Sequence, residues 1–275
     1  MARAWELKFG NVTVMPRLNH PGDLTPDHLD TLKLRLAITY ASQMVDKAYL
    51  KLRELSQNKL QNADELEVQY ALAKYFSIHP SDDMYTSYVQ GILNVYRKIK
   101  VGMMLGYDIV VFDPTDRNAF RTGALGYVRP TRTVIQGGLQ TSSESPIRKL
   151  VGIPDEWNHR EWTGYAVGRI HLSLGILLPG LPEAYDVART IVHEASHKFA
   201  GTNDILYKHQ SFGKSPQMDL EKEGYVQATM AIGGKVITPM AGAATGEIIS
   251  PHLYIENADS YAWTARRLWK RFRTV

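Results

Sequence analysis

The stretch between Pro179 and Gly201 constrains the fold more than any other part of the sequence. The cluster Pro179-Gly180-Leu181-Pro182 interrupts any preceding element, and proline is tolerated in a first helical turn. Glu183 and Asp186 then place negative charge where the helix dipole favours it, and Gly201 can take the left-handed conformation that ends helices. Apolar residues recur between these signals at steps of three and four, which predicts an amphipathic helix. They are Ala184, Val187, Ala188, Ile191, Val192, Ala195 and Phe199.

This predicted helix carries a His-Glu-x-x-His core made of His193, Glu194 and His197. Because the two histidines are four residues apart, they share one helix face and their ring nitrogens can converge on a single metal ion. Glu194 stands beside them, where a carboxylate can take a proton from a metal-bound water. Both histidines fall outside the apolar stripe. The motif therefore predicts a catalytic zinc site.

A catalytic zinc takes three protein ligands and keeps a fourth position for water, so one ligand must come from outside the helix. Asp204 is the nearest acidic residue, after a turn that Gly201 permits. We interpret the charged run around residues 219–223 as a solvated face. Several later carboxylates stay open as alternatives to Asp204. They are Glu221, Glu223, Glu247, Glu256 and Asp259.

Two motifs of the chain resemble those of the aspzincins, the family of deuterolysin and the peptidyl-Lys metalloendopeptidases. The first is His193-Glu194-x-x-His197 followed by Gly201-Thr202-x-Asp204-x-x-Tyr207. The second is Asn257-Ala258-Asp259-Ser260-Tyr261. Two matched motifs in the same order are more specific than the five-residue core alone. The resemblance covers about residues 165–265.

The resemblance implies a role for each matched residue. His193, His197 and Asp204 would bind zinc, and Glu194 would be the general base. Tyr207 would donate to the oxyanion, and Asp259 would lie in or near the primed-side substrate pocket. The chain departs from the family pattern at Lys208, where a glycine is usual, and at Ala262, where lysine-specific members have a glutamate. Strict lysine specificity is therefore not expected.

The predicted fold is α+β and mainly helical, with a zincin-like catalytic domain over residues 106–275 and a helical region over residues 1–105 that packs on it. Three apolar stripes predict the helices of that region, the second starting after Asn62 and the third after Ser81. The first stripe consists of Leu36, Tyr40, Met44, Ala48, Leu52 and Leu55. The second and third consist of Leu66, Tyr70, Ala73 and Phe76, and of Tyr85, Tyr88, Val89, Ile92, Tyr96 and Ile99.

Three segments are predicted strands. Two are short, at Asp108–Phe112 and Thr131–Ile135. The third, Arg169–Leu178, alternates apolar and polar residues directly before the metal-binding helix. The resemblance implies that this third strand is the edge of a small sheet and pairs with an extended substrate. We interpret His171 as a solvent or substrate-cleft residue of that strand and not as a metal ligand.

Composition narrows the classes of function. The chain has no cysteine, which excludes a disulfide framework, a thiolate metal site and a cysteine nucleophile. No apolar run predicts a membrane span or a secretory signal, so we expect a cytoplasmic protein or an effector exported by a signal-independent system. The net charge is only +4. We interpret the basic stretch 266–273 as a helix that packs its Trp and Leu inward, and not as a nucleic-acid site.

Together these features predict a zinc-dependent endopeptidase with Zn²⁺ as cofactor and a protein or peptide as substrate, without nucleic acid as a partner. Two alternatives stay open. One is a zinc amidase or peptidase that acts on cell-wall peptides. The other is an inactive, metal-stabilised interaction module.

Overall fold

The computed structural model describes residues 6–17, 29–113, 125–128, 169–177, 183–202, 225–226, 230–237, 247–248 and 251–272. Its helices are α1 (Leu29–Ser56), α2 (Asn62–Phe76), α3 (Tyr85–Leu105), α4 (Ala184–Ala200), α5 (Pro251–Ile255) and α6 (Ala258–Phe272). The strands of the main sheet are β1 (Leu7–Phe9), β2 (Val12–Arg17), β3 (Tyr107–Phe112), β4 (Gly126–Val128) and β5 (Ile170–Ser173). Four short strands complete the set, namely β6 (Tyr225–Val226), β7 (Met230–Ile232), β8 (Lys235–Ile237) and β9 (Glu247–Ile248). The protein is α+β and mainly helical, as predicted.

The main sheet is mixed and has the strand order β1-β2-β3-β5-β4. Strands β2, β3 and β5 run parallel to one another, whereas β1 and β4 run antiparallel to their neighbours. Strands β3 and β5 are buried at nearly every position, which is typical of strands covered on both faces. Within the described residues, β4 is the outermost strand at the end of the sheet nearest α4.

Helix α4 lies at the centre of the molecule. It packs on α1, α3 and α6 and touches β4 and β5 at the end of the sheet. Its apolar side chains, including Val187, Ile191 and Ala195, are buried in one core that also contains residues of α1, α2, α3, β2 and β3. The position of α4 is therefore fixed from several sides.

The predicted region of residues 1–105 shares this core with the remainder of the chain. Its strands β1 and β2 belong to the same sheet as β3, β4 and β5, although the sequence predicted an irregular segment over residues 1–30. Helices α1 and α3 of the region pack directly on α4, and α2 packs on α6. The boundary at residue 105 stays a prediction.

The three predicted helices of this region are present. Helix α2 begins at Asn62, close to the predicted start, and the apolar stripe of α3 is buried except for Tyr85, which is partly buried. The stripe of α1 is wrong at its first position, because Leu36 is 48% exposed while Leu34 and Ala37 are buried. Met44 and the later members of that stripe are buried as predicted. Strand Asp108–Phe112 is confirmed within β3, and Thr131–Ile135 lies outside the described residues.

The strand predicted at Arg169–Leu178 requires two corrections. It ends at Ser173, because the Ser173 side chain accepts a hydrogen bond from the Gly175 amide and the chain turns into a 3-10 helix at Leu174–Ile176. It is also not an edge strand, since β5 pairs with β3 on one side and with β4 on the other. A period-two pattern reveals which face of a strand is buried but not which neighbours it has.

The interpretation of His171 as a solvent or cleft residue is wrong as well. Its side chain is buried, with 6% of its surface exposed. The imidazole stacks on the ring of Tyr127 in the neighbouring strand β4, with the centroids 4.4 Å apart. The aromatic partner comes from a distant segment that the sequence pattern did not connect with β5.

The basic C-terminal stretch forms the end of α6, as predicted. Leu268 and Trp269 are buried, while Arg266 and Arg267 form ion pairs with Asp186 and Glu67. None of the described helices combines the length and the apolar character needed to cross a membrane.

Candidate metal centre

The helix predicted between Pro179 and Gly201 is confirmed as α4. It begins after Glu183, whose backbone is extended, and ends at Gly201, whose φ of +72° is the left-handed conformation expected of a glycine stop. The Gly201 amide donates to the carbonyl of His197 and thereby closes the last turn. All three residues of the His-Glu-x-x-His core lie within the helix. His193 and Glu194 are buried, and His197 is partly buried.

The two histidines of the core converge. The Nε2 atoms of His193 and His197 are 3.1 Å apart, and their rings are nearly perpendicular. Tetrahedral zinc with zinc–nitrogen distances of about 2.0–2.1 Å would place two nitrogen ligands about 3.3 Å apart. The observed separation is therefore close to that of a histidine pair on one zinc ion.

The other ring nitrogens define which atoms are available to a metal. His193 Nδ1 lies 2.9 Å from Asp259 Oδ1, and His197 Nδ1 lies 2.6 Å from the carbonyl oxygen of Thr202. A carboxylate and a carbonyl only accept hydrogen bonds, so each Nδ1 is the donor. In the neutral rings, both Nε2 lone pairs then point into the same small space. Such an arrangement is compatible with one metal ion held by both Nε2 atoms, and the donor set fits zinc.

Asp259 lies on the Nδ1 side of His193, away from the Nε2 atom that faces His197. Its Oδ1 accepts from His193 and also lies 3.3 Å from Nη1 of Arg189, and its side chain is 5% exposed. Because the two nitrogens of a histidine ring point in different directions, a carboxylate bound at Nδ1 does not face a metal at Nε2. In the described geometry Asp259 is thus buried on the Nδ1 side of His193, and its place in or near the primed-side substrate pocket stays a prediction.

Residues 201 and 202, which directly follow α4, are held by hydrogen bonds to the helix. The hydroxyl of Ser196 donates to the carbonyl of His193 and lies 2.7 Å from the hydroxyl of Thr202. The Thr202 amide donates to the carbonyl of Ser196. Together with the contact between His197 and the Thr202 carbonyl, these bonds fix the direction in which the chain leaves the helix.

Glu194 faces β4. Only 3% of its surface is exposed, and it lies against Gly126. A methyl group added at Gly126 would be 2.8 Å from Glu194 Oε1 and 3.1 Å from its Cγ, which is closer than van der Waals contact. The missing side chain of Gly126 is therefore what allows the carboxylate to lie beside the outermost described strand.

Sequence reasoning did not identify Arg189 as part of the site. The residue precedes His193 by one helical turn, and its guanidinium lies 4.6 Å from the ring centroid of Trp263. The pKa of Arg189 is lowered from its usual value, because burial disfavours the charged form and the negative charge of Asp259 offsets only part of this effect. The available signal was a cation four residues before the first histidine, on the same helix face.

The second motif of the sequence forms the start of α6. Asn257 Nδ2 donates to the hydroxyl of Ser260, and the hydroxyl of Tyr261 donates to the carbonyl of Ile255. Tyr96 of α3 in turn donates to the Tyr261 carbonyl at 2.6 Å. These buried bonds fix the first turn of α6, from which Asp259 reaches His193.

Several predicted site residues cannot be placed. Asp204, Tyr207, Glu221 and Glu223 lie outside the described residues, Glu247 lies in β9, and Glu256 is buried. In the part of the chain that the structure describes, no group of three histidine, aspartate or glutamate side chains is arranged to hold a metal. The described residues thus bring together two of the predicted ligands, His193 and His197, and metal binding itself and the third ligand stay predictions.

No protein-family model, no curated protein and no solved structure matches this chain. The function must therefore be argued from the geometry of the site.

Proposed function

We propose that the protein is a zinc-dependent endopeptidase in which His193 and His197 hold the metal and Glu194 is the general base. The observation that carries this proposal is the pair of Nε2 atoms at 3.1 Å, with both Nδ1 atoms already bound to acceptors. Zinc enzymes use this arrangement, because an acceptor at one ring nitrogen orients the other toward the metal. A buried carboxylate next to that pair supplies the base that hydrolysis requires.

Zinc, when bound, would make a water molecule more acidic and polarise the scissile carbonyl. Glu194 accepts the proton of the attacking water and delivers it to the leaving amine. His193 and His197 keep their protons on Nδ1 throughout, because Asp259 and the Thr202 carbonyl accept from those atoms. In this proposal Tyr207 donates to the developing oxyanion, a type of contact whose loss lowers the rate by about 10²–10³.

Asp204 is the third ligand in this proposal. It follows Thr202 by two residues, and two residues of chain span at most about 7 Å. The Thr202 carbonyl is already bound to His197, so the chain leaves α4 beside the metal-facing histidine. Replacing Asp204 with alanine should abolish stoichiometric zinc binding in a metal assay. If that variant binds zinc as tightly as the parent, the ligand is another carboxylate, and Glu256 is the first to be tested.

We propose β4 as the strand on which the substrate docks, in place of the β5 strand that the sequence suggested. Strand β4 is the outermost strand of the sheet among the described residues, and its Gly126 lies against Glu194. An extended peptide can add to such an edge through main-chain hydrogen bonds. A peptide paired with β4 would run past the catalytic carboxylate, as a zincin-like arrangement requires.

We also propose that the chemistry follows the aspzincin pattern. In support, the two separate motifs of the resemblance meet in space, because Asp259 of the second contacts His193 of the first. Ala262, which replaces the glutamate of lysine-specific members, is fully buried. We therefore expect a substrate preference other than strict lysine.

The test compares the purified parent with the Glu194→Gln variant. The parent should contain one zinc per chain and cleave casein, whereas the variant should retain the zinc and lose turnover by about 10²–10⁴. The same pair is incubated with purified cell wall, since release of peptides from cell wall but not from casein would indicate an amidase of cell-wall peptides. Stoichiometric zinc without any cleavage would indicate a metal-stabilised interaction module.

A further inference from the structure

The buried contact between α4 and α6 contains residues that support the proposed metal ligand His193 without facing the metal. Helices α4 and α6 pack antiparallel, because Asp186 at the start of α4 pairs with Arg266, whereas His193, two turns later, binds Asp259 at the start of α6. Arg189 lies between these two contacts on the same face of α4. This interface therefore contains a row of charged groups that ends at Nδ1 of His193, the ring nitrogen that does not face the proposed metal.

Arg189 and His193 bind the same carboxylate oxygen. Asp259 Oδ1 lies 2.9 Å from His193 Nδ1 and 3.3 Å from Arg189 Nη1. Since both donors belong to one rigid helix and are one turn apart, they fix Oδ1 from two directions. A buried carboxylate held by a second donor is fixed in its orientation as an acceptor for the imidazole.

Arg189 is itself held in place. Its guanidinium packs on one side of Trp263, at 4.6 Å from the ring centroid, and Arg266 lies 5.0 Å from the same centroid. The ring of Tyr75 stacks on Trp263 at 6.4 Å. These aromatic contacts limit the rotamers of Arg189, so its position beside Asp259 is defined by packing and not only by charge.

We propose that Arg189 is a positioning residue of the metal centre, which acts through Asp259 to orient His193 for zinc. The inference rests on the proposed zinc site and goes beyond it, because Arg189 would touch neither metal nor substrate. A group of this kind commonly changes metal affinity by about 10–100-fold when its contact is removed.

The experiment measures zinc affinity by competition with a chromogenic chelator, for the parent, Asp259→Asn, Arg189→Met and the double variant. Asp259→Asn should bind zinc about 10–100-fold more weakly. Arg189→Met should also weaken binding in the parent but have little further effect when Asp259 is already asparagine. Coupled neighbours deviate from additivity by about 2-fold to 150-fold. Arg189→Lys should restore part of the lost affinity.

Arg266→Met is the matched control. Arg266 is also an arginine of the α4–α6 interface that stacks on Trp263 and pairs with an aspartate, but its partner is Asp186 and not Asp259. This variant should unfold at a lower temperature than the parent while its zinc affinity changes less than 3-fold, a bound for a residue without contact to the ligand. Thermal unfolding of the metal-free variants separates loss of folding from loss of affinity.

Four outcomes would overturn the inference. Equal zinc affinity of Asp259→Asn and the parent would show that Asp259 does not orient the ligand. Equal effects of Arg189→Met in both backgrounds, or an equal effect of Arg266→Met, would show that Arg189 acts only on the fold. A parent that binds no zinc would overturn the proposed function as well, whereas a parent that binds zinc without cleaving casein leaves the affinity test of Arg189 unchanged.

Discussion

The two histidines of α4 that we propose as metal ligands are supported in different ways. His197 donates to the Thr202 carbonyl, five residues further along the chain. His193 donates to Asp259, which is 66 residues away and belongs to another helix. The first support is local backbone geometry, and the second depends on tertiary packing between α4 and α6. The difference indicates which changes to the sequence each histidine should tolerate.

The largest expected effect comes from removing either histidine. His193→Ala and His197→Ala should each lose stoichiometric zinc and all detectable peptide cleavage, because a catalytic zinc with only two protein ligands is not held. Metal analysis of the purified variants and a casein assay check both results. Retention of zinc by one variant alone would show that the two histidines do not share one ion.

The next effect concerns Glu194, which, like His193, depends on a distant segment. Gly126→Ala would place a methyl group 2.8 Å from Glu194 Oε1, so the carboxylate must move. We expect turnover to fall about 10–100-fold, the usual result of displacing a catalytic group by about 1 Å. Zinc affinity should stay at the parent value, because the three atoms nearest to the added methyl group all belong to Glu194.

Steady-state kinetics with a peptide substrate measure this change. Gly10→Ala is the matched control, since a methyl group there meets nothing within 4 Å while the φ of +61° still imposes backbone strain. If both variants lower turnover equally, Gly126 does not act through Glu194.

A smaller effect is expected at the local support of His197. Gly201→Ala places a side chain at a φ of +72°, which destabilises the fold by about 1–2 kcal/mol. The distortion lies directly between His197 and its acceptor Thr202, so zinc affinity should fall together with stability. Chemical denaturation and the chelator competition measure the two quantities. A stability loss without any change in zinc affinity would contradict the role assigned to this turn.

The smallest effect is expected for Thr202→Ala. His197 binds the main-chain carbonyl of Thr202, which the substitution retains. The hydroxyl contacts with Ser196 and, at 3.3 Å, with His197 Nδ1 are lost, and a hydrogen bond of this type contributes about 0.5–1.5 kcal/mol. Zinc affinity should therefore change less than in Asp259→Asn. The reverse order in the chelator competition would show that the side chain, and not the backbone, supports His197.

The same contrast between local and distant contacts explains what the sequence could predict. Helix α4, its charged start and its stop at Gly201 follow from neighbouring residues, and so does the convergence of His193 and His197. The position of β5 inside the sheet depends on strands β3 and β4, which lie in separate segments. The aspartate behind His193 was recognised only as part of a motif, because no periodicity connects residues 193 and 259. The burial of Leu34 instead of Leu36 likewise depends on which helices surround α1.

The separation of His193 from Asp259 has a consequence for synthesis of the chain. Ribosomes add about 5–20 residues per second, so Asp259 emerges about 3–13 s after His193. During that interval the His-Glu-x-x-His motif has left the ribosome, but Asp259, which contacts its first histidine, has not yet emerged. A nascent chain that stops before residue 259 thus carries the whole motif without the support of one ligand. The order of translation delays assembly of the site until α6 is synthesised.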